Sequence, residues 1–338
     1  MSSLIMPEPA PILVPPSPAI VCAHTSWALL EVGGADAVAF LHGQLSSDVE
    51  SLLPGQGQYW SYNSPKGRML ANGVLWRSVA EPGRVLMVLA ADLAEPIRRR
   101  LSMFVLRAKV TIEDASKRIG VVGVAGPAAA AAAHDALGIT ATTWTAVPIG
   151  NDATALSLPD DRIVIAAPAT RGPLIHAALA RNAVIGDADT WRWFGIAAGV
   201  PMITSATSDK FVPQTANWDL VGGISFKKGC YPGQEIVARM QYLGRLKERL
   251  HAFRTDAEDV AAGARLISPT FGDGPCGTVV NAARDPTGGS VVLAVVQTTA
   301  VAAHDIRLGE GNDALLRLLA LPYAVPEVAP LPRTPRMA

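Results

Sequence analysis

Cysteine is scarce in this chain of 338 residues, which contains three: Cys22, Cys230 and Cys276. They lie far apart and form neither a CxxC motif nor a Cys/His pair. This spacing argues against a zinc site, a self-contained iron–sulfur cluster site and a disulfide framework. We therefore predict no intrinsic metal, and a reducing, cytoplasmic environment.

An excess of either charge is also missing, because Lys+Arg and Asp+Glu both total 29 and the formal net charge is zero. Such a balance implies no general affinity for polyanions, so direct nucleic-acid binding is not expected. The alanine-rich stretch 119–134 is shorter than the roughly 20 residues that a membrane helix needs. Prolines interrupt the uncharged run 9–30, and residues 1–20 contain no lysine or arginine. We predict neither a membrane segment nor a leader peptide.

Apolar residues are abundant, at 49% of the sequence, and the chain exceeds the length at which a single core usually stops growing. Several domains are therefore expected, with loose ends where proline is concentrated. The predicted organisation is a flexible arm over 1–20, an α+β domain over 21–118 with 189–246, a second α+β domain over 119–188, a β-barrel over 247–325 and a flexible tail over 326–338.

Strands interleaved with helices predict an α+β fold, with helices on one face of a mostly antiparallel sheet. The first predicted strands cover 26–32, 57–62, 68–79 and 108–112, and the first predicted helices cover 36–45 and 92–105. A smaller β-α-β pattern begins near Gly120 and predicts a second ferredoxin-like unit, in which Gly138 ends the helix. From about Arg249, short strands alternate with turns, which predicts a small barrel or sandwich.

A loop around Cys230 has the most distinctive local chemistry. A short apolar strand over 224–226 is predicted to lead into Lys227 and Lys228, and Pro232 then opens an amphipathic helix that Gly244 ends. Cys230 would lie just ahead of the helix N-terminus, where backbone N–H groups and the two lysines favour a thiolate. An ordinary strand-to-helix turn with solvated lysines remains the alternative.

Two tryptophans follow at 191 and 193, in a helix that Asp189 is predicted to cap. Residues two apart on a helix point to different faces, so Trp191 and Trp193 cannot share one core seam. We expect one of them to border a cleft, where its ring would be a platform for a flat heterocycle.

The string Lys-Gly-Cys-Tyr-Pro-Gly-Gln-Glu at 228–235 resembles the signature of the YgfZ-type folate-binding proteins. These are relatives of the glycine-cleavage aminomethyltransferase that act in iron–sulfur protein maturation. The resemblance spans about 27–323. It includes Phe-Leu-His-Gly-Gln-Leu-Ser-Ser-Asp-Val at 40–49, Ser-Pro-Lys-Gly-Arg at 64–68 and Phe-Val-Pro-Gln-Thr-Ala-Asn at 211–217.

This resemblance implies the aminomethyltransferase-like fold: two ferredoxin-like layers around a central hole that holds tetrahydrofolate or a derivative, and a small C-terminal β-barrel. It implies an accessory protein for assembly or repair of iron–sulfur enzymes, including tRNA-modifying enzymes, with folate and iron–sulfur client or assembly proteins as partners. Cys230 would be closest to the chemistry and Lys228 would tune it. The residues expected to bind folate are Trp27, Trp191, Lys228, Cys230, Tyr231, Gln234, Asn72 and Gln214.

Two departures from the resembling family bear on mechanism. The aminomethyltransferases carry a catalytic carboxylate in the strand where this chain has Ala71 and Asn72, which argues against aminomethyl transfer by the known route. Relatives commonly carry a glutamate for the polar edge of the pterin where this chain has Ala197. Either folate binding is weak, or another residue serves that edge. A folate-dependent one-carbon transferase and a ligand-free interaction module remain open alternatives.

The helix after the cysteine loop also places Glu235 and Arg239 four residues apart. A structural ion pair between them is one interpretation. Contact of Arg239 with an anionic ligand tail is the other.

Overall fold

A computed structural model describes residues 10–23, 26–242, 246–309 and 313–326, with the side chain of Asp273 excepted. Residues 1–9 of the predicted arm, the predicted tail beyond Pro326 and the helix end predicted at Gly244 lie outside the described residues.

The first part of the chain forms a five-stranded antiparallel sheet with two helices. Its elements are β1 (Ile20–Cys22), β2 (Trp27–Gly33), α1 (Ala37–Gln44), β3 (Gly57–Asn63), β4 (Met69–Arg77), β5 (Val85–Ala90), α2 (Ala94–Ser102) and β6 (Thr111–Asp114). The strand order is β3-β4-β5-β2-β6. Sequence reasoning predicted no strand at β5, because its six residues are an unbroken apolar run without alternation, and all six are buried.

A second sheet has six strands in the order β11-β1-β7-β10-β9-β8. Its further elements are β7 (Ile119–Ala125), α3 (Ala129–Leu137), β8 (Ala146–Ile149), β9 (Ala153–Ser157), β10 (Arg162–Pro168), α4 (Gly172–Leu179) and β11 (Val184–Gly186). β1 pairs with β7 and β11, so the chain contributes to this sheet before it enters the first one.

The described part of the predicted loose arm is packed against the body of the protein. Leu13 is buried, and the Ala320 amide donates a hydrogen bond to the Pro11 carbonyl over 2.9 Å. Ile20 already belongs to β1. The expectation of looseness at residues 10–20 therefore needs correction. Proline prevents a helix here, but it does not prevent apolar side chains from covering a core.

Two helices follow the second sheet, and the rest of the chain forms the third. The elements are α5 (Ala188–Ala197), α6 (Gln234–Tyr242), β12 (Glu248–Thr255), β13 (Arg265–Ser268), β14 (Gly272–Arg284), β15 (Ser290–Gln297), α7 (Thr298–Val301), β16 (Arg307–Leu308) and β17 (Arg317–Leu319). The six strands, in the order β16-β13-β14-β15-β12-β17, curl into a half-barrel. The predicted α+β class is confirmed, and the small C-terminal barrel that was predicted takes the form of this half-barrel.

Helix α5 packs against strands of the second and third sheets. Its N-cap is Asp187 and not, as predicted, Asp189. The Asp187 carboxylate accepts from the Thr190 amide over 2.8 Å, while the Thr190 hydroxyl accepts from the Asp187 amide in a capping box. Asp189 instead pairs with Arg192 and accepts from the Arg284 amide, which attaches the helix to β14.

The cysteine loop has no strand over 224–226, contrary to prediction, since the segment there has a single backbone bond to 46 in place of a ladder. Helix α6 begins two residues after Pro232. Ahead of it, Gly233 has a φ of 77° and lies against the turn at 64–67. A Cβ on Gly233 would be 2.4 Å from the Ser64 carbonyl oxygen and 2.7 Å from the Gly67 Cα. Glycine is needed at this contact, which joins two of the motifs.

Candidate functional site

A cavity of about 330 Å³ lies where the three sheets meet. Residues of all three sheets share one apolar core around it, including Leu29, Val164 and Leu293. Its volume falls in the range of small-molecule pockets, roughly 300–1,000 Å³. The site therefore has room for a ligand of the size of a bicyclic ring.

Trp27 and Trp191 form an aromatic wall of this cavity. Their ring centroids are 5.1 Å apart and their planes are 81° apart, an edge-to-face arrangement. β7 makes room for Trp191 at Gly123, where a Cβ would come within 2.5 Å of the indole ring. Trp193 is also buried but packs against Phe194, so of the helical pair it is Trp191 that borders the cavity.

The polar lining of the cavity includes a buried cation and a carboxylate. Arg162 has a side chain 3% exposed and places its guanidinium carbon 5.3 Å from the centroid of the Trp191 ring. Burial alone would lower its pKa, but the Asp160 carboxylate raises the pKa of Arg162 overall. Asp92 also lines the cavity, and it accepts hydrogen bonds from the amide and hydroxyl of Ser205 over 2.9 and 2.6 Å. Such a site offers donors and an acceptor around an aromatic surface.

Asn72 holds the cavity wall in place and does not itself line it. It is fully buried, its amide nitrogen donates to the Pro201 carbonyl over 2.8 Å, and its amide oxygen accepts from the Ile203 amide over 2.7 Å. The neighbouring Gly73 and Pro201 do line the cavity. Because Asn72 uses its donor and its acceptor on this segment, we classify it as a positioning residue.

Lys228 connects the cysteine loop to the end of α1. Its ammonium donates to the carbonyl oxygens of His42 and, over 2.8 Å, of Leu45, and it lies 4.8 Å from the centroid of the Tyr231 ring. These carbonyls belong to the last turn of a helix, where no intrahelical donor is available. Burial lowers the pKa of Lys228 to about 8.

Cys230 is exposed, unlike Cys22 and Cys276. The Tyr231 amide donates to the side-chain oxygen of Gln234 over 3.3 Å, a contact local to the start of α6. The thiol therefore lies on a loop that Lys228 anchors and that a macromolecule can reach.

Gln214 connects two segments away from the cavity. Its amide nitrogen donates to the Val237 carbonyl over 2.7 Å, and its own backbone carbonyl accepts from Arg249 over 2.7 Å. The structure therefore separates the predicted site residues. Trp27 and Trp191 meet at the cavity, and the others do not line it: Asn72, Gln214, Lys228, Cys230, Tyr231 and Gln234.

Sequence reasoning missed Arg162, Asp92 and Tyr59, which also line the cavity. Arg162 opens an otherwise apolar strand directly after two aspartates. A buried arginine needs a paired carboxylate, so this Asp-Asp-Arg step was the available signal. Asp92 was assigned to helix capping, and Tyr59 lies in an alternating strand like many core residues.

A second cavity of about 510 Å³ adjoins the first, since Tyr59 and Val200 line both. Asp160, Ala197 and Tyr323 belong to its lining. Ala197, which replaces the expected glutamate, thus faces this second space.

Two kinds of site are absent from residues 10–23, 26–242, 246–309 and 313–326. There, no group of three or more His, Cys, Asp or Glu side chains is placed to hold a metal ion. In the same ranges, no helix combines the length and apolar character that crossing a bilayer requires.

Sequence comparisons find relatives over nearly the whole chain, although no protein-family model matches it. The tRNA-modifying protein YgfZ of Sodalis glossinidius is 32% identical over 340 residues, which cover 97% of this chain and 100% of the relative. Proteins of the same name from Yersinia pseudotuberculosis and Klebsiella pneumoniae are 29% and 30% identical, over 92% and 88% of this chain and 94% and 91% of theirs.

Among solved structures, the glycine cleavage system aminomethyltransferase T of Bartonella henselae has the same fold. The TM-score is 0.72 at 18% sequence identity, and the match covers 90% of this chain and 86% of that chain. The aminomethyltransferase-like fold that the resemblance implied is confirmed.

Proposed function

The chain belongs to the YgfZ family, and we propose that it is a tetrahydrofolate-binding accessory protein that serves tRNA modification. The observation that carries the proposal is the cavity between the sheets, with its wall of Trp27 and Trp191. The relatives named tRNA-modifying protein YgfZ support the process. The fold shared with an aminomethyltransferase supports the ligand class.

The residues of the cavity fit a reduced folate. The aromatic wall offers apolar contact to a flat ring, and the Arg162 guanidinium offers a buried donor beside it. A bound reduced folate would supply one-carbon chemistry at N5 of its ring and at the neighbouring N10. The protein's part is to hold the ring, to exclude water from it and to supply hydrogen bonds at its polar edge.

Cys230 is the group that we assign to the contact with other proteins. Its exposure allows a macromolecular partner to approach, and Lys228 fixes the loop that carries it. We propose that these partners are iron–sulfur client or assembly proteins, including tRNA-modifying enzymes, and that the protein acts in the cytoplasm. A cysteine is a soft ligand and a nucleophile, which suits exchange of iron or sulfur with a partner.

Asp92 favours a second candidate function, a folate-dependent one-carbon transferase. The strand β4 has the amide of Asn72 where the transferases have a carboxylate, but Asp92 supplies a carboxylate to the cavity from elsewhere. This candidate predicts turnover of tetrahydrofolate with a methylamine donor, and it predicts that Asp92→Asn abolishes that turnover. Absence of turnover with the wild-type protein at saturating folate contradicts it.

Calorimetric titration with tetrahydrofolate tests the leading proposal. Trp27→Phe and Trp191→Phe should weaken binding, because each removes part of the aromatic wall. Trp193→Phe is the matched control, since Trp193 lies on the same helix and is equally buried but faces away from the cavity. No heat and no thermal shift at millimolar folate would contradict folate binding and favour an interaction module without ligand.

A further inference from the structure

A buried ion pair lies in the wall between the two cavities. Arg162 lines the first cavity and Asp160 lines the second. The guanidinium donates through Nε over 3.0 Å and through Nη2 over 2.5 Å, and both bonds go to the same oxygen, Oδ2 of Asp160. The side chains are 3% and 13% exposed. Oδ2 of Asp160 therefore accepts both hydrogen bonds, and Oδ1 accepts none from Arg162.

That other oxygen, Oδ1 of Asp160, is buried and has no hydrogen-bond partner among the residues that the structure describes. The hydroxyl of Tyr59, which lines both cavities, is buried beside the Arg162 guanidinium. Burial, followed by the charge of Asp160, raises the pKa of Tyr59, so the hydroxyl keeps its proton at neutral pH. Buried polar atoms nearly always have partners, and an unpaired carboxylate oxygen is costly. The unpaired carboxylate oxygen of Asp160 at this cavity boundary indicates a place that a ligand completes.

We propose that Asp160 and Arg162 recognise the 2-amino-4-oxopyrimidine edge of the bound ligand. This edge presents two N–H donors beside one carbonyl acceptor. Oδ1 of Asp160 accepts from the N–H groups, and the Arg162 guanidinium donates to the carbonyl while it lies over Trp191. The inference rests on the proposed function for the identity of the ligand, because the pterin ring of a folate carries this edge.

The position of Ala197 supports this assignment. The sequence leaves the polar edge of a pterin without the expected carboxylate at that position. Ala197 lines the cavity that Asp160 also lines, so a carboxylate from the loop before β10 borders the space that the small side chain leaves. The same recognition chemistry is then supplied from the loop before β10 and not from helix α5.

The test compares the affinity of the wild-type chain and of Asp160→Asn for 5-formyltetrahydrofolate by calorimetry. We expect Asp160→Asn to bind about ten- to a hundredfold more weakly, because it loses a charge-assisted bond. Asp135→Asn is the matched control. It makes the same change of charge at an exposed position on α3 and should bind like the wild type.

The outcomes separate the inference from the proposed function. Equal affinity of wild type and Asp160→Asn overturns the role of Asp160 and leaves folate binding intact. No binding by the wild type overturns folate binding itself. Guanosine monophosphate carries the same edge, so binding of this probe that depends on Asp160, without binding of folate, supports the edge recognition and rejects folate as the ligand.

Changing one member of a buried ion pair is destabilising, so Asp160→Asn could bind weakly because it folds poorly. A second measurement therefore changes the ligand and keeps the wild-type protein. The wild-type protein is titrated with a folate analogue whose 2-amino group is replaced by methyl. At least tenfold weaker binding than for the parent folate is expected. Equal affinity for the two ligands contradicts recognition of the donor edge, whatever the stability of Asp160→Asn.

Discussion

The cavity and the cysteine loop differ in how the chain builds them. The cavity draws on side chains far apart in sequence, such as Trp27, Arg162 and Trp191, which three sheets bring together. The cysteine loop is one continuous motif whose Lys228 reaches back to the end of α1. The segment that is easiest to recognise in the sequence is therefore not the segment that forms the cavity. We expect the two regions to fail independently when each is altered.

The largest effect is expected at Cys230. Cys230→Ala should abolish complementation of a strain lacking the native protein, because we propose the thiol as the group that contacts partner proteins. The same variant should keep the wild-type folate affinity and melting temperature, since the side chain is exposed and does not line the cavity. Complementation assays with parallel calorimetry check both statements. Full complementation by Cys230→Ala would remove the cysteine from the mechanism.

A single methyl group added in β7 should have the opposite effect from Cys230→Ala, because it should change folate binding and stability. At Gly123 the methyl of Ala would be 2.5 Å from the Trp191 ring, so the ring must move and the aromatic wall is lost. Gly123→Ala should destabilise the fold by about 1–3 kcal/mol and abolish folate binding.

Gly120 provides the control for this variant. It lies in the same strand, and a Cβ there would meet nothing within 4 Å, so Gly120→Ala should bind and unfold like the wild type. Denaturant unfolding measures the stability of both variants, and titration with folate measures their affinity. Unchanged binding in Gly123→Ala would show that the position of Trp191 does not control the pocket.

Regular elements could be predicted where the local pattern agrees with the final environment. Helix α3 ends as predicted at Gly138, whose φ of 66° explains the glycine. Strand β5 was missed because both of its faces are buried, which removes the alternation that marks a strand. The N-cap of α5 was predicted at Asp189, whereas it is Asp187, because both aspartates fit the capping pattern. Asp189 is instead bound to β14, a long-range contact that the local sequence does not reveal.

The site was predictable only in part, for a related reason. Trp27 and Trp191 were identified from a family resemblance, and the pairing of Trp191 and Trp193 independently suggested a cleft. Arg162 could not be placed from sequence, since its role depends on the contact of the second sheet with α5. Lys228 was predicted to tune the thiol, and the sequence did not indicate its hydrogen bonds to carbonyls 183 and 186 residues earlier in the chain. Long-range contacts of this kind leave no periodic pattern.

The smallest expected effect concerns the pH dependence of stability that Lys228 confers on the cysteine loop. Burial lowers the pKa of Lys228 from its usual value of 10.5 to about 8 in the folded protein. Between these pH values the unfolded chain binds more protons at this lysine than the folded chain does. The free energy of unfolding should therefore gain a positive slope from about pH 8 to 10.5, of at most about 1.4 kcal/mol per pH unit.

Lys228→Met should lack this slope while keeping the wild-type folate affinity, because Lys228 does not line the cavity. Loss of the bonds to the carbonyls of His42 and Leu45 should also lower stability at neutral pH by about 1–3 kcal/mol. Lys227→Met, at the exposed neighbouring position, should retain the wild-type slope. Denaturant unfolding at several pH values measures the three proteins. A slope that persists in Lys228→Met would assign the titration to another group, and loss of folate binding in that variant would show that loop and cavity are coupled.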